Sequence, residues 1–175
     1  MRNNLSQMIS LSKIEEKLYR PADAYELSRV TRMEHVKTTI VETPQEGIKA
    51  VATRIAQLIN RREANGQKTV LSLASGRSMR DLFVELVRLH KEDGLSFKNV
   101  VVFGSYEFYP LSDTTSGSMA QIQSQLLEHV DILPENVHTF PGDLPKEDVF
   151  AFCEEYEKAI VEAGGIDVQV LGIGQ

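Results

Sequence analysis

The stretch TVLSLASGRSMRDLF, residues 69–83, passes abruptly from the pattern of a strand to that of a helix. A run rich in β-forming residues comes first. Apolar residues then recur at Met79, Leu82, Phe83 and Leu86, which is helical spacing. The small polar residues between the two patterns therefore form a strand-to-helix loop, the unit from which α/β folds are built.

This loop is a candidate binding site for an anion. The first N–H groups of a helix have no partner inside the helix, and the helix dipole makes that end electropositive. Ser75 and Ser78 add hydroxyl donors, Gly76 allows close approach of the backbone, and Arg77 supplies a full charge. We therefore predict that residues 75–78 bind a phosphate group.

A purely structural interpretation of the same loop stays open. Ser75 or Ser78 as the N-cap of the helix, which stabilises by about 1 kcal/mol, explains the choice of residues without any ligand. The loop lacks the Gly-Lys-Ser/Thr ending of a Walker loop and the three glycines of a dinucleotide-binding turn. A nucleotide is therefore not the predicted anion.

Composition and charge limit the classes of partner. A chain of 175 residues is long enough for one sizeable core. Its net charge of −6 argues against nucleic acid and anionic membranes as partners. The four histidines lie at element edges without a shared spacing, so no metal site is predicted, and no cofactor is predicted either.

The single cysteine, Cys153, cannot form an internal disulfide, and its place in a helical stripe predicts that it belongs to the core. The sequence shows neither a signal-peptide pattern nor an apolar run of membrane-spanning length. These features predict a cytoplasmic protein.

Residues 1–34 have the pattern of two amphipathic helices, interrupted at Arg20-Pro21. We interpret them as a helical N-terminal extension to a main domain of residues 35–175. Their apolar stripes are expected to cover the parent domain or a subunit interface, which leaves a homo-oligomer open.

The main domain alternates strand and helix patterns. Thr43, Pro44 and Glu46 combine an N-cap, a proline at the first helical position and a capping-box glutamate. The continuously apolar strand 99–103 favours a buried parallel sheet. The other predicted strands are at 36–41, 136–140 and 166–173, with one more in the apolar run that begins at Thr69 and ends in the loop. The predicted helices are one that starts at Pro44 and ends at Ala64-Asn65-Gly66-Gln67, two at 78–91 and 118–129, and one with an apolar stripe from Val149 to Ile160 that Gly164-Gly165 stops.

The loop of residues 104–117 is the second candidate site, because ligands of open α/β sheets bind at the carboxyl ends of the strands. Glu107 is either an acid, base or hydroxyl acceptor, or a solvated loop carboxylate. Tyr106, Phe108 and Tyr109 either stack on a sugar or cover the core.

With these segments placed, the chain resembles the glucosamine-6-phosphate deaminase (isomerase) family and, more distantly, the 6-phosphogluconolactonases. The resemblance rests on LASGRS at 73–78, LSFKNVVVF at 95–103, HVDILPENV at 129–137, CEEYE at 153–157 and GGIDVQVLGIG at 164–174. It implies a Rossmann-like α/β domain, with a mostly parallel sheet and helices on both faces, that binds an amino-sugar phosphate. The implied reaction converts glucosamine 6-phosphate and water into fructose 6-phosphate and ammonia.

The chain departs from the family pattern in two ways. Tyr106 stands where the family has the aspartate that moves the proton, with Glu107 next to it. A phenol keeps its proton at neutral pH and is a poorer base than a carboxylate. The family's ring-opening histidine and distal phosphate-binding lysine lie on a segment that would follow Gln175, so we expect an amino-terminal part of a longer protein that is inactive alone. A non-catalytic sugar-phosphate-binding or regulatory module and a lactonase-like hydrolase remain alternatives.

Overall fold

The computed structural model describes residue 24 and residues 38–111 and 113–172. The chain divides into two compact units, residues 1–40 and residues 41–175. The predicted pair of helices in residues 1–34 falls, apart from residue 24, outside the described residues. The predicted boundary between residues 34 and 35 therefore stays a prediction.

The second unit alternates helices and strands, as the sequence pattern predicts. Its helices and strands are, in chain order, α1 (Pro44–Ala64), β1 (Thr69–Leu73), α2 (Arg77–Asp93), β2 (Val100–Gly104), α3 (Ser118–Gln125), β3 (Val137–His138), α4 (Val149–Glu162) and β4 (Val168–Val170). Short 3₁₀ turns at Thr114–Ser116, Leu127–His129 and Pro134–Asn136 lie in the connections.

The strands of the described chain form one sheet in the order β3-β2-β1-β4, and every pairing in it is parallel. The register pairs Thr69 with Val100 and Leu73 with Gly104, so β1 and β2 end side by side. Parallel strands put the loops that follow them at one edge of the sheet. The predicted α/β class with a mostly parallel sheet is confirmed.

The central strands are buried on both faces, which explains why β2 is continuously apolar and why β1 is apolar apart from Thr69 and Ser72. Alternate residues of a strand point to opposite faces. Leu71, Leu73 and Val102 belong to a core with α1, α2 and α3, whereas Val101 and Phe103 pack with Tyr156 of α4. Helices therefore cover both faces of the sheet.

The start of α1 follows its predicted capping pattern with one difference. The Thr43 hydroxyl accepts a hydrogen bond from the N–H of Glu46 at 3.2 Å, and Pro44 opens the helix. The Glu46 carboxylate accepts from the N–H of Glu42 at 3.1 Å, one residue before the position that a capping box requires.

Several predicted elements are shorter than their patterns. The strand predicted at 36–41 is wrong over its described part, because residues 38–41 carry no strand and Ile40 is 77% exposed. β3 and β4 extend only as far as their neighbours pair with them, over 137–138 and 168–170. The helix predicted to reach residue 129 ends at Gln125, and a 3₁₀ turn follows.

The prediction that Cys153 belongs to the core is wrong, because this residue is exposed. Helix α4 contacts the sheet through buried Tyr156 and through half-buried Phe152 and Ile160. The apolar residue Phe150 is 84% exposed. The buried face of α4 is thus rotated away from the stripe that includes residues 150 and 153.

Candidate functional site

The predicted phosphate loop joins β1 to α2. Helix α2 begins at Arg77 with Gly76 as its N-cap, and no side chain caps the helix. The backbone of Gly76 has φ 123°, a conformation that side-chain-bearing residues rarely adopt. The interpretation of Ser75 or Ser78 as the N-cap is therefore wrong.

The amino end of α2 keeps donors available. Among the described residues, the N–H groups of Arg77 and Ser78 donate to no protein acceptor, whereas those of Met79 and Arg80 donate to the Gly76 carbonyl. Unpaired N–H groups at the positive end of a helix dipole attract anions. The geometry thus retains the anion-binding features expected of this loop.

A cavity of about 440 Å³ opens at this loop. Residues 74–79 form one wall, and Tyr106, Leu171 and Gly172 complete the lining. Ser75, Gly76, Arg77 and Ser78 thus line one cavity at the carboxyl edge of the sheet. Sequence reasoning missed Leu171 and Gly172, which it placed inside the strand predicted at 166–173; the glycine there was a usable signal that the strand ends earlier.

Tyr106 connects the two candidate loops. Its phenol oxygen lies 2.9 Å from Oγ of Ser75, so the loop after β2 is hydrogen-bonded to the loop after β1. A second bridge joins Oγ of Ser72 to Oγ of Ser105 at 2.9 Å. The structure therefore brings Tyr106 to the predicted phosphate loop, 31 residues away in the chain.

The aromatic residues of this loop do not cover the core. Tyr106 is 39% exposed, Phe108 57% and Tyr109 47%. The rings of Tyr106 and Phe108 meet edge to face, with their centroids 5.8 Å apart. The core-covering interpretation is wrong, and stacking on a sugar stays a prediction.

Glu107 holds the amino end of α3. Its carboxylate accepts hydrogen bonds from the N–H groups of Phe108 at 2.9 Å, Ser118 at 2.7 Å and Met119 at 3.0 Å. Gly117 leaves room for it, since a Cβ there would lie 2.7 Å from Oε2 of Glu107. The interpretation as a solvated loop carboxylate is wrong, and Glu107 does not line the cavity that contains residues 75–78.

Tyr156 of α4 supports the end of β2 from the other face of the sheet. Its buried hydroxyl donates to the carbonyl of Gly104 at 2.9 Å and lies 3.3 Å from that of His138. Burial raises the pKa of Tyr156, and the phenol therefore stays protonated and donates to the Gly104 carbonyl. This contact fixes the strand end from which the 104–117 loop departs.

The chemistry available in the cavity is that of anion binding. Its described lining offers hydroxyls, the Arg77 guanidinium and backbone N–H groups, and it includes no carboxylate. In the described part of the chain, no group of three or more His, Cys, Asp or Glu residues could hold a metal ion. None of the helices found there is long and apolar enough to cross a membrane.

Residues 42–175, which contain both loops, match the family model described as glucosamine-6-phosphate isomerases/6-phosphogluconolactonase. The chain belongs to this family. The resemblance inferred from the sequence motifs is confirmed.

Two relatives show how much of a family member this chain represents. It is 42% identical over 176 residues to a glucosamine-6-phosphate deaminase-like protein of Bacteroides thetaiotaomicron, a match covering 100% of this chain and 26% of that protein. It is 40% identical over 106 residues to a glucosamine-6-phosphate deaminase of Porphyromonas gingivalis, covering 60% of this chain and 40% of that protein. The matched segments thus span about a quarter and two fifths of these relatives.

Solved structures of family members share the fold. A monomeric glucosamine-6-phosphate deaminase superimposes with a TM-score of 0.72 at 28% identity, over 79% of this chain and 56% of that one. The 6-phosphogluconolactonase of Thermotoga maritima gives a TM-score of 0.63 at 23% identity, over 78% and 59% of the two chains. The second likeness shows the fold alone.

Proposed function

We propose that this chain forms the phosphate-binding part of a glucosamine-6-phosphate deaminase-like protein of amino-sugar metabolism. The proposed reaction of the whole protein converts glucosamine 6-phosphate and water into fructose 6-phosphate and ammonia. One observation carries the proposal: Ser75, Gly76, Arg77 and Ser78 line a single cavity at the amino end of α2. Family membership supports a sugar phosphate as the anion that such a cavity would bind.

The phosphate group would lie against the free N–H groups of Arg77 and Ser78. The exposed side chains of these residues are placed to add a guanidinium and a hydroxyl. An exposed helix terminus contributes only about 0.3 to 1 kcal/mol toward an anion, so Arg77 must supply much of the affinity. We therefore expect weak binding that depends on Arg77.

A non-catalytic sugar-phosphate-binding module is the second candidate function. Deamination with isomerisation needs a base that moves a proton between neighbouring carbons. The described lining of the cavity has the Tyr106 phenol and no carboxylate, while Glu107 is engaged at the amino end of α3. These two observations favour binding without turnover for this chain.

Calorimetric titration with glucosamine 6-phosphate tests the binding site. Arg77→Ala should weaken binding by roughly 10- to 150-fold, because a hydrogen bond to a charged group is worth about 1.5 to 3 kcal/mol. Arg80→Ala is the matched control, since Arg80 is exposed on the same helix and does not line the cavity. Equal losses in both variants would mean that only the general charge of the helix matters, and the phosphate site would have to be abandoned.

An ammonia-release assay tests turnover. We expect the chain alone to release no ammonia from glucosamine 6-phosphate above background, and Tyr106→Asp to leave this unchanged. Loss of a positioned acid or base typically removes a factor of roughly 100 to 10,000 in rate. Turnover at an ordinary enzymatic rate would show that the cavity has a functional base and would favour the enzyme over the module.

A further inference from the structure

The Ser75 hydroxyl has no part in the phosphate position described above, which uses the N–H groups and side chains of Arg77 and Ser78. Ser75 nevertheless lines the same cavity. Its Oγ lies 2.9 Å from Oη of Tyr106, whereas Oγ of Ser78 has no hydrogen-bond partner in the described part of the chain. The Ser75 hydroxyl is therefore held in place by a residue of the neighbouring loop.

Tyr106 is itself fixed on both sides along the chain. The residue before it, Ser105, donates its N–H to the carbonyl of Leu73 at 2.9 Å. The residue after it, Glu107, accepts N–H groups at the amino end of α3. The ring of Tyr106 also meets that of Phe108 edge to face, with the centroids 5.8 Å apart. The phenol thus reaches the cavity from an anchored backbone.

The distances around the phenol indicate which hydroxyl donates. The other acceptor near Oη of Tyr106 is the Ser75 carbonyl, which lies 3.5 Å away, at the limit of a hydrogen bond. If Ser75 donated to the phenol, the phenol proton would be left with this poor acceptor. A phenol is also more acidic than an aliphatic hydroxyl, which makes it the stronger donor. The phenol therefore donates to Oγ of Ser75.

This direction leaves the proton of the Ser75 hydroxyl available. A serine hydroxyl has one proton to donate and two lone pairs that accept. One lone pair of Oγ accepts from Tyr106, and no other described residue lies within hydrogen-bond distance of this atom. The described lining of the cavity offers no carboxylate that could take the proton. An anion in the cavity is the acceptor that this hydroxyl lacks.

We propose that Tyr106 is a positioning residue for phosphate binding. By donating to Oγ of Ser75, it directs the Ser75 proton toward a phosphate oxygen. An anionic acceptor at the end of this chain of two hydrogen bonds polarises and strengthens both. The inference rests on the proposed function and adds Ser75 to the donors of the phosphate site. It also gives the phenol a role in which Tyr106 keeps its proton and does not act as a base.

Calorimetric titrations with glucosamine 6-phosphate test the two ends of this chain of hydrogen bonds. Ser75→Ala removes the donor and should weaken binding about tenfold or more. Tyr106→Phe keeps the donor but frees it to rotate, and the cost of ordering it on binding should weaken affinity about two- to tenfold. Tyr109→Phe is the matched control and should bind as the parent does, because Tyr109 lies on the same loop, donates to the Leu144 carbonyl and does not line the cavity.

A double variant separates positioning of Ser75 from stiffening of the loop. Tyr106→Phe should cause no further loss of affinity in the Ser75→Ala background, because the phenol acts only through the Ser75 hydroxyl. A phenol that merely stiffened the loop would weaken binding equally in both backgrounds. Ser75→Thr keeps a hydroxyl, so it should bind more tightly than Ser75→Ala and should again be weakened by Tyr106→Phe.

The outcomes distinguish this inference from the proposed function. Equal affinities of Tyr106→Phe and the parent chain, or equal losses in both backgrounds, would overturn the inference, while Arg77→Ala would still report on the phosphate site. Binding by Ser75→Thr as weak as that of Ser75→Ala would also overturn it. Absence of binding by the parent chain would overturn both. Urea denaturation checks that each variant folds, and Tyr106→Leu, which also lacks the hydroxyl, takes the place of Tyr106→Phe if that variant does not.

Discussion

Replacing Glu107 with alanine removes the carboxylate that holds the amino end of α3. The side chain accepts three backbone N–H groups, from Phe108, Ser118 and Met119, at 2.7 to 3.0 Å. Ser118 is 0% exposed and Met119 8% exposed, so water reaches their N–H groups poorly. Phe108 is 57% exposed, and water can replace its bond.

The expected loss comes mainly from the two buried donors. A buried donor left without a partner costs about 1 to 3 kcal/mol, and loss of an ordinary N-cap costs about 0.5 to 2 kcal/mol. Because some water enters the space left by the half-buried side chain, we expect Glu107→Ala to lower the free energy of unfolding by about 2 to 4 kcal/mol. Glu107→Gln keeps one acceptor oxygen and should lose about half as much.

Urea denaturation measures this difference. With a slope of about 1 to 3 kcal/mol per molar urea, the midpoint of Glu107→Ala should fall by roughly 1 M or more. Glu128→Ala, at an exposed carboxylate shortly after α3, is the control and should lie within about 0.5 kcal/mol of the parent chain. An unchanged midpoint for Glu107→Ala would refute the capping role and return Glu107 to the list of candidate acids and bases.

Other substitutions test the supports of the two loops. Ser78→Ala should change the unfolding free energy by less than about 0.5 kcal/mol in urea titrations, because Gly76 is the N-cap, whereas Gly76→Ala should cost about 1 to 3 kcal/mol. Tyr156→Phe should cost about 1 to 2 kcal/mol by leaving the Gly104 carbonyl unpaired. Burial would raise the pKa of Asp131, but hydrogen bonds from Phe97 and Ser96 outweigh it and hold that pKa below its usual value. The carboxylate therefore stabilises the fold above about pH 4, and melting temperatures of Asp131→Asn should fall less than those of the parent as pH drops below 4.

The sequence by itself determined the order and class of the main elements. The apolar run of β1, the helical spacing after Gly76 and the Thr43-Pro44 start of α1 are local signals, and each element lies where its signal predicts. The continuously apolar β2 favoured burial on both faces, and therefore a parallel sheet with helices on each side. The local sequence also predicted unpaired backbone N–H donors at the amino end of α2, because the position of such donors depends only on where a helix begins.

Only the tertiary structure decided what the side chains near the site do. Glu107 accepts from residues 11 and 12 positions further along the chain, and Tyr106 bonds to Ser75 across 31 positions. The apolar stripe of α4 predicted that Cys153 faces the core. In the structure α4 packs on the sheet through Tyr156, and Cys153 is exposed. Hydrophobic periodicity reports which face of an element is apolar and carries no information on which elements become neighbours. The strand order β3-β2-β1-β4 determines which elements become neighbours. It places the carboxyl ends of β1 and β2 side by side, so that the loops after these two strands lie together.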